Sequence, residues 1–338
     1  MYLGPSNVVM SNFSSWGPTI DNRVKPDISA QGVEVLSSTA NSNDSYDYYN
    51  GTSMAAPGVA GSLLLLQELS ADLNQGEFLR SSTLKAIIIA TALETGENPG
   101  PDPKFGWGLL NTEAAAQLML DSHEGSNAFY QELKLEEENN SYSIKVKAND
   151  EEELKATIAW TDIAGNGLVN DLDLRITDSQ GNTFYPWRLN PGDITAPALN
   201  DADNNVDNVE KIWIENAVEG EEYTITITHK NELESGEQEF GLAVTGVQEV
   251  PLSSENQELS EIMIYPNPAT DQINIELEQS SGAVDLQIND LNGRKVLMQK
   301  IDDYSSSYQL DISHLDTGVY FVEIKTKGKK AVKKLIVK

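Results

Sequence analysis

The sequence predicts a multidomain fold, with an α/β region first, a jelly-roll type β-sandwich next and a further all-β region last. Three observations lead there. Helical spacing of apolar residues gives way near residue 122 to strict alternation. A polar, turn-rich stretch, Pro251-Leu252-Ser253-Ser254-Glu255-Asn256-Gln257-Glu258, reads as a linker over 251–261. Charge is also split unevenly: residues 1–122 carry 5 Lys+Arg and 13 Asp+Glu, residues 123–261 carry 8 and 30, and residues 262–338 carry 10 and 10. A chain of 338 residues is long enough for two or three domains.

In the first region, Asn50-Gly51-Thr52-Ser53-Met54-Ala55-Ala56-Pro57 sets a serine at the mouth of a helix expected to be buried. Gly51 permits a sharp turn, and Thr52 or Ser53 can cap the first N–H groups. Small residues and then the leucine run 63–66 continue the helix. Free N–H donors at a helix start favour a developing oxyanion. By spacing alone, the same letters also describe a Ser/Thr cap on a core helix. Residues Ser82 to Ala92 predict a second, capped and mostly buried helix.

The eight-residue stretch resembles the serine motif of the subtilisin-like peptidases almost letter for letter. Ser11-Asn12-Phe13-Ser14-Ser15-Trp16-Gly17-Pro18, Lys25-Pro26-Asp27-Ile28-Ser29-Ala30 and Phe105-Gly106-Trp107-Gly108-Leu109-Leu110-Asn111 resemble segments of that family on either side. The resemblance implies that residues 1–122 are the C-terminal part of a subtilase catalytic domain, an α/β fold. It implies Ser53 as nucleophile, with Thr52, Gly51 and Asn50 shaping the turn and oxyanion site.

A serine nucleophile needs a base, and subtilisin, a worked example of the triad, orders it Asp, His, Ser. No histidine precedes Ser53; His123, His229 and His314 all follow it. The expectation is a fragment of a longer enzyme, inactive alone, whose partner is a missing N-terminal part bearing the aspartate, the histidine and the second oxyanion donor. The hydrolase order Ser, acid, His would use Gly-x-Ser-x-Gly, but Ala55 occupies the last position. Asp316-Thr317-Gly318 mimics a protease aspartate motif, yet Leu315 and Val319-Tyr320-Phe321-Val322 make it a turn opening a strand.

In the second region Leu154, Ala156, Ile158 and Trp160 alternate with polar residues, as do Leu172, Leu174 and Ile176, Ile212 and Ile214, and Tyr223, Ile225 and Ile227. Asp178-Ser179-Gln180-Gly181-Asn182 is the turn between two runs. Residues 123–250 therefore read as a jelly-roll-like sandwich, expected to fold without the catalytic part. Val169-Asn170-Asp171-Leu172-Asp173-Leu174 and Asn204-Asn205-Val206-Asp207-Asn208-Val209 resemble loops of the sandwich that follows some subtilase domains. Their oxygens are hard ligands suited to calcium, and Asp162, Asp171, Asp173 and Asn205 are the candidates, set against plain Asx turns.

The net charge of −30 argues against a nucleic-acid partner. With no cysteine there is no disulfide or thiol chemistry. No apolar run approaches a membrane span. In the last region, Tyr265-Pro266-Asn267-Pro268, Asp290-Leu291-Asn292-Gly293-Arg294, Leu315-Asp316-Thr317-Gly318-Val319-Tyr320 and Lys333-Lys334-Leu335-Ile336-Val337-Lys338 together resemble the type A C-terminal sorting domain of the type IX secretion system. That resemblance implies an Ig-like β-sandwich over 262–338, the type IX machinery as partner and a secreted or outer-membrane surface location. The leading functional expectation is a secreted serine endopeptidase acting on protein or peptide substrates. Its rival is a non-catalytic adhesion or calcium-binding module left from a peptidase gene.

Overall fold

In a computed structural model, the structure describes Gly4 and residues 7–137, 139–149, 153–165, 167–249, 262–290, 294–326 and 329–338. The chain divides into two compact units, Met1–Leu252 and Ser253–Lys338.

The first unit opens with a small antiparallel hairpin, β1 (Val35–Ser38) and β2 (Tyr46–Tyr49). Three helices follow: α1 (Thr52–Leu73), α2 (Ser81–Ala90) and α3 (Thr112–Glu124). The Asn111 side chain caps α3 by accepting from Ala114 N, and Gly125 ends it in the left-handed conformation. His123 therefore lies in the last turn of α3. Eight strands then form two antiparallel sheets. β3 (Ser126–Glu136), β5 (Leu154–Trp160), β8 (Val209–Ile214) and β10 (Glu237–Glu249) make one, in the order β3-β10-β5-β8. β4 (Ser141–Lys147), β6 (Leu172–Thr177), β7 (Thr183–Phe184) and β9 (Glu222–His229) make the other, in the order β4-β9-β6-β7.

Alternation explains how these sheets bury themselves. Phe240, Leu242 and Val244 of β10, with Ala156, Ile158 and Trp160 of β5, face one way and meet Leu172, Leu174, Ile176, Ile225 and Ile227 of the second sheet. The intervening residues do not face water. Ala243, Ala159 and Val209 lie in a second core with Ile87, Ile89 and Ala90 of α2 and Leu118 and Met119 of α3. The first sheet is therefore the middle layer of three. Regions that differ in period on either side of residue 122 share one core.

At Gly241 the backbone of α2 comes close to that sheet. A Cβ there would lie 2.4 Å from Thr83 Cα, 2.7 Å from Thr83 N and 2.9 Å from its Oγ1. A glycine inside an alternating strand signals such a backbone approach. Gly106 does similar work: its φ is +65°, and a Cβ would sit 1.8 Å from Pro26 O.

α1 departs from expectation. Of its 22 residues only Leu66 and Ser70 are buried, and Leu64 and Leu65 are 71% and 61% exposed. A helix apolar on most sides is ordinarily a buried one. No element of the described residues covers this face. No helix among them is long and apolar enough to cross a membrane.

The second unit holds β11 (Ile262–Tyr265), β12 (Gln272–Asp290), β13 (Lys295–Asp311), β14 (Gly318–Thr326) and β15 (Lys329–Val337), in the order β11-β12-β14-β15 with β13 also paired to β12. The two apolar runs at 273–277 and 284–288 belong to one strand, β12, whose pairing with β13 shifts register between them. Ile273, Leu286, Val322, Ile324 and Leu335 are central to its core. The Tyr-Pro-Asn-Pro segment lies along the last strand: Asn267 Nδ2 donates to Lys334 O (2.7 Å) and its Oδ1 accepts from Ile336 N (2.9 Å). Ala269 N donates to Ile336 O and Lys338 N to Ala269 O, both at 2.8 Å. A side-chain amide thus substitutes for a strand neighbour.

Candidate functional site

Gly51 is the N-cap of α1, with φ 151° and ψ 158°, and no side chain caps the helix. The expected capping by Thr52 or Ser53 is not made, because both lie inside the first turn. Gly51 N donates to Gly32 O (2.7 Å), and Asn50 Oδ1 accepts from Glu34 N (2.5 Å), which fixes the turn against the 32–34 segment. Gly51 O takes the Met54 and Ala55 amides at 3.0 and 3.4 Å. Ser53 is exposed at the positive end of a 22-residue helix. Pro57 has no N–H to return to Ser53 O, so the carbonyl of the serine also lacks its usual helical donor.

Among the described residues no hydrogen bond joins Ser53 to a histidine. His123 is exposed on α3, the Nδ1 of His229 meets Asn231 O at 2.6 Å, and His314 belongs to the second unit. Among the described residues the turn, the helix end and the exposed Ser53 hydroxyl are assembled with no histidine bonded to that hydroxyl.

The calcium candidates separate into two places. Asp162 is occupied by its own loop: Oδ1 accepts from Ile163 N (2.9 Å) and Asn170 N (3.0 Å), and Oδ2 from Val169 N (2.7 Å). Asp171, Asp173 and Asn205 do come together, joined by Asp203. Their shared neighbour is the Lys230 ammonium, 2.7 Å from Asp173 Oδ1, 3.3 Å from Asp203 Oδ2 and 3.4 Å from Asp171 Oδ2, with a hydrogen bond to Asn205 Oδ1. Arg175 adds a second cation, bonded to Asp173 Oδ1 at 3.2 Å and to Asp203 Oδ1. Among the described residues no three Asp, Glu, His or Cys side chains are arranged to hold a metal ion.

Sequence reasoning missed two buried polar groups, Asp207 and Lys211, that tie the two regions together. Asp207 Oδ1 accepts from Val24 N (2.7 Å) and Oδ2 from Asn204 Nδ2 (2.9 Å); burial pushes this carboxyl up to about 6. Lys211 on β8 donates to Ile89 O at 2.8 Å, in the last turn of α2. Burial lowers this ammonium to about 7, while burial raises the nearby Glu94 carboxyl to about 7 against the attraction of Lys211. In the second unit, Asp290, Arg294, His314, Asp316 and Tyr320 border a cavity of about 500 Å³, so two separated motifs converge there.

Comparison with known proteins follows the same division. The subtilase family matches residues 5–108, and the secretion system C-terminal sorting domain matches residues 263–338. The C5a peptidase of Streptococcus pyogenes is 52% identical over 63 residues, which are 19% of this chain and 5% of that protein. Bacillopeptidase F of Bacillus subtilis is 26% identical over 214 residues, 54% of this chain and 14% of that protein. Subtilisin-like protease SBT3.4 of Arabidopsis thaliana is 34% identical over 147 residues, 37% of this chain and 18% of that protein. The chain thus spans under a fifth of the length of these relatives. A secretion-system sorting domain marks a secreted or cell-surface protein. The chain therefore joins a segment that matches the subtilase family, with Ser53 inside it, to one that matches the secretion system C-terminal sorting domain.

Proposed function

We propose that the chain is the nucleophile-bearing part of a secreted subtilisin-like serine endopeptidase acting on protein or peptide substrates. The observation that carries this reading is Ser53: an exposed hydroxyl at the start of α1, behind a glycine turn held by Asn50 and Gly32. In this reading the Ser53 oxygen bonds to the scissile carbonyl carbon while its proton passes to a histidine. The π electrons of the C=O bond move to oxygen, and the Ser53 backbone N–H donates to that oxyanion. Collapse of the intermediate re-forms the carbonyl and breaks the C–N bond, and the leaving amine takes the proton from the histidine. Water activated by the same histidine then splits the Ser53 ester and restores the hydroxyl.

The histidine and its carboxylate come from a segment outside residues 1–338. Exposed Leu64 and Leu65 support this, since a covering segment would bury the side of α1 now open to water. The sorting domain delivers the enzyme through the type IX machinery. Without the base, only weak residual catalysis remains.

A fluorophosphonate probe tests the reading. The chain alone should stay unlabelled. Joined to a subtilase segment bearing the aspartate and histidine, it should be labelled at Ser53, and Ser53→Ala should abolish the label. Absence of labelling in the joined protein, with the fold intact, would favour a non-catalytic surface module instead.

A further inference from the structure

The acidic loops expected to take calcium already hold a cation of their own. Three carboxylates, Asp171, Asp173 and Asp203, and the Asn205 amide oxygen gather at one end of β6 and β9. Such a set needs positive charge, because like charges held together in a partly dry site repel strongly. The charge is at hand. Lys230 is one residue beyond β9, its own N–H bonded to Asp171 O at 3.1 Å, and its side chain is 26% exposed. Its Nζ reaches all four groups, and Arg175 reaches two of them, stacked 5.0 Å from the Tyr185 ring.

A calcium ion in the same place would require six to eight oxygens at 2.3–2.6 Å. It would also have to displace an ammonium from its hydrogen bonds, leaving that ammonium beside a divalent charge. An ammonium with its three donors serves Asp173, Asp203 and Asn205, and holds Asp171 as an ion-pair neighbour at 3.4 Å. Burial alone would lower Lys230, yet the hydrogen bond to Asp173 and the charges of Asp173, Asp171 and Asp203 outweigh it and hold the ammonium protonated.

We infer that Lys230 is the resident cation of these loops, standing where a metal would stand between Asp171, Asp173, Asp203 and Asn205, and that the first unit folds without a divalent ion. The loops keep their carboxylates because they grip a tethered charge, which no chelator removes and no change in calcium concentration dilutes.

All five tryptophans, Trp16, Trp107, Trp160, Trp187 and Trp213, lie in the first unit, so tryptophan fluorescence on the intact chain reports that unit alone. Melting should give the same midpoint, to within about 1 °C, in millimolar calcium chloride and in EDTA at matched ionic strength. Lys230→Met should lower the midpoint in EDTA by about 4–8 °C, since it leaves the half-buried Asp171 without its cation and Asp173 and Asp203 to Arg175 alone. A wild-type midpoint that rises in calcium overturns the inference, and this arm needs no variant. A Lys230→Met chain as stable in EDTA as the wild type overturns it equally.

Discussion

Gly241→Ala is the sharpest test of the claim that α2 rests directly on the sandwich. The substitution adds one methyl group, and the backbone is not in a region that only glycine adopts, so its effect is the contact itself. The new Cβ would stand 2.4 Å from Thr83 Cα, whereas ordinary contact begins at 3.4 Å. Helix backbone cannot rotate out of the way as a side chain can. α2 must retreat by about 1 Å, and overpacking of this kind costs about 1–3 kcal/mol.

Retreat also strains two bonds to Glu132 Oε1, from Arg80 N at 2.6 Å and Thr83 Oγ1 at 2.9 Å. Losing part of each adds about 1 kcal/mol. A total near ~3 kcal/mol predicts a midpoint lower by about 6–12 °C for a unit of this size. Tryptophan fluorescence during urea and thermal unfolding measures it. Gly58→Ala is the control, because a Cβ at exposed Gly58 meets nothing within 4 Å and alanine favours the helix. It should be neutral or slightly stabilising. If Gly241→Ala melts with the wild type, the three-layer arrangement is refuted.

Other outcomes follow from the same geometry. Lys211 is lowered from 10.5 to about 7, so the unfolded chain binds the extra proton between those values; stability through this residue should rise as pH climbs from 7 to 10.5, and Lys211→Met should remove that rise in urea unfolding. Glu94 is raised from 4.5 to about 7, so its contribution is full below 4.5 and fades as pH rises through 7; Glu94→Gln should flatten that limb. In the second unit, Asn267→Ala removes both bonds to β15 and should speed hydrogen exchange at the Ile336 amide several-fold, costing about 1–2 kcal/mol. Unchanged exchange there would remove Asn267 from the account of how the last strand is held.

Much of the secondary structure was legible because its signals are local. The run around Ile87 reads as a buried helix and forms α2, and the alternation of Leu154, Ala156, Ile158 and Trp160 gives β5. The serine turn was legible for the same reason, as eight adjacent residues. What escaped depends on residues far apart in the chain. Lys211 looks like the solvent-facing position of an alternating strand, but α2 lies over that face and turns it inward. Lys230 carries no local sign that it would meet Asp171, Asp173 and Asp203, which only the folding of separate loops brings to it. Gly241 was the one available clue, an isolated glycine in a strand pattern. Exposure of α1 was not legible either, since its composition is that of a buried helix.

The fit of Thr83 against Gly241 also governs what recombination can do with this gene. A crossover near residue 122 would hand the sandwich to a new neighbour while stripping α2 from its outer face, leaving Ala243, Ala159 and Val209 open to water. It would also leave Lys211 without Ile89 O and Asp207 without Val24 N. A crossover in 251–261 cuts between units that have separate cores. Chimeras that exchange the sorting domain at that junction should keep both parents' folds, whereas those that exchange the sandwich must take α2 with it. The helices and the sandwich are, in heredity as in packing, a single piece.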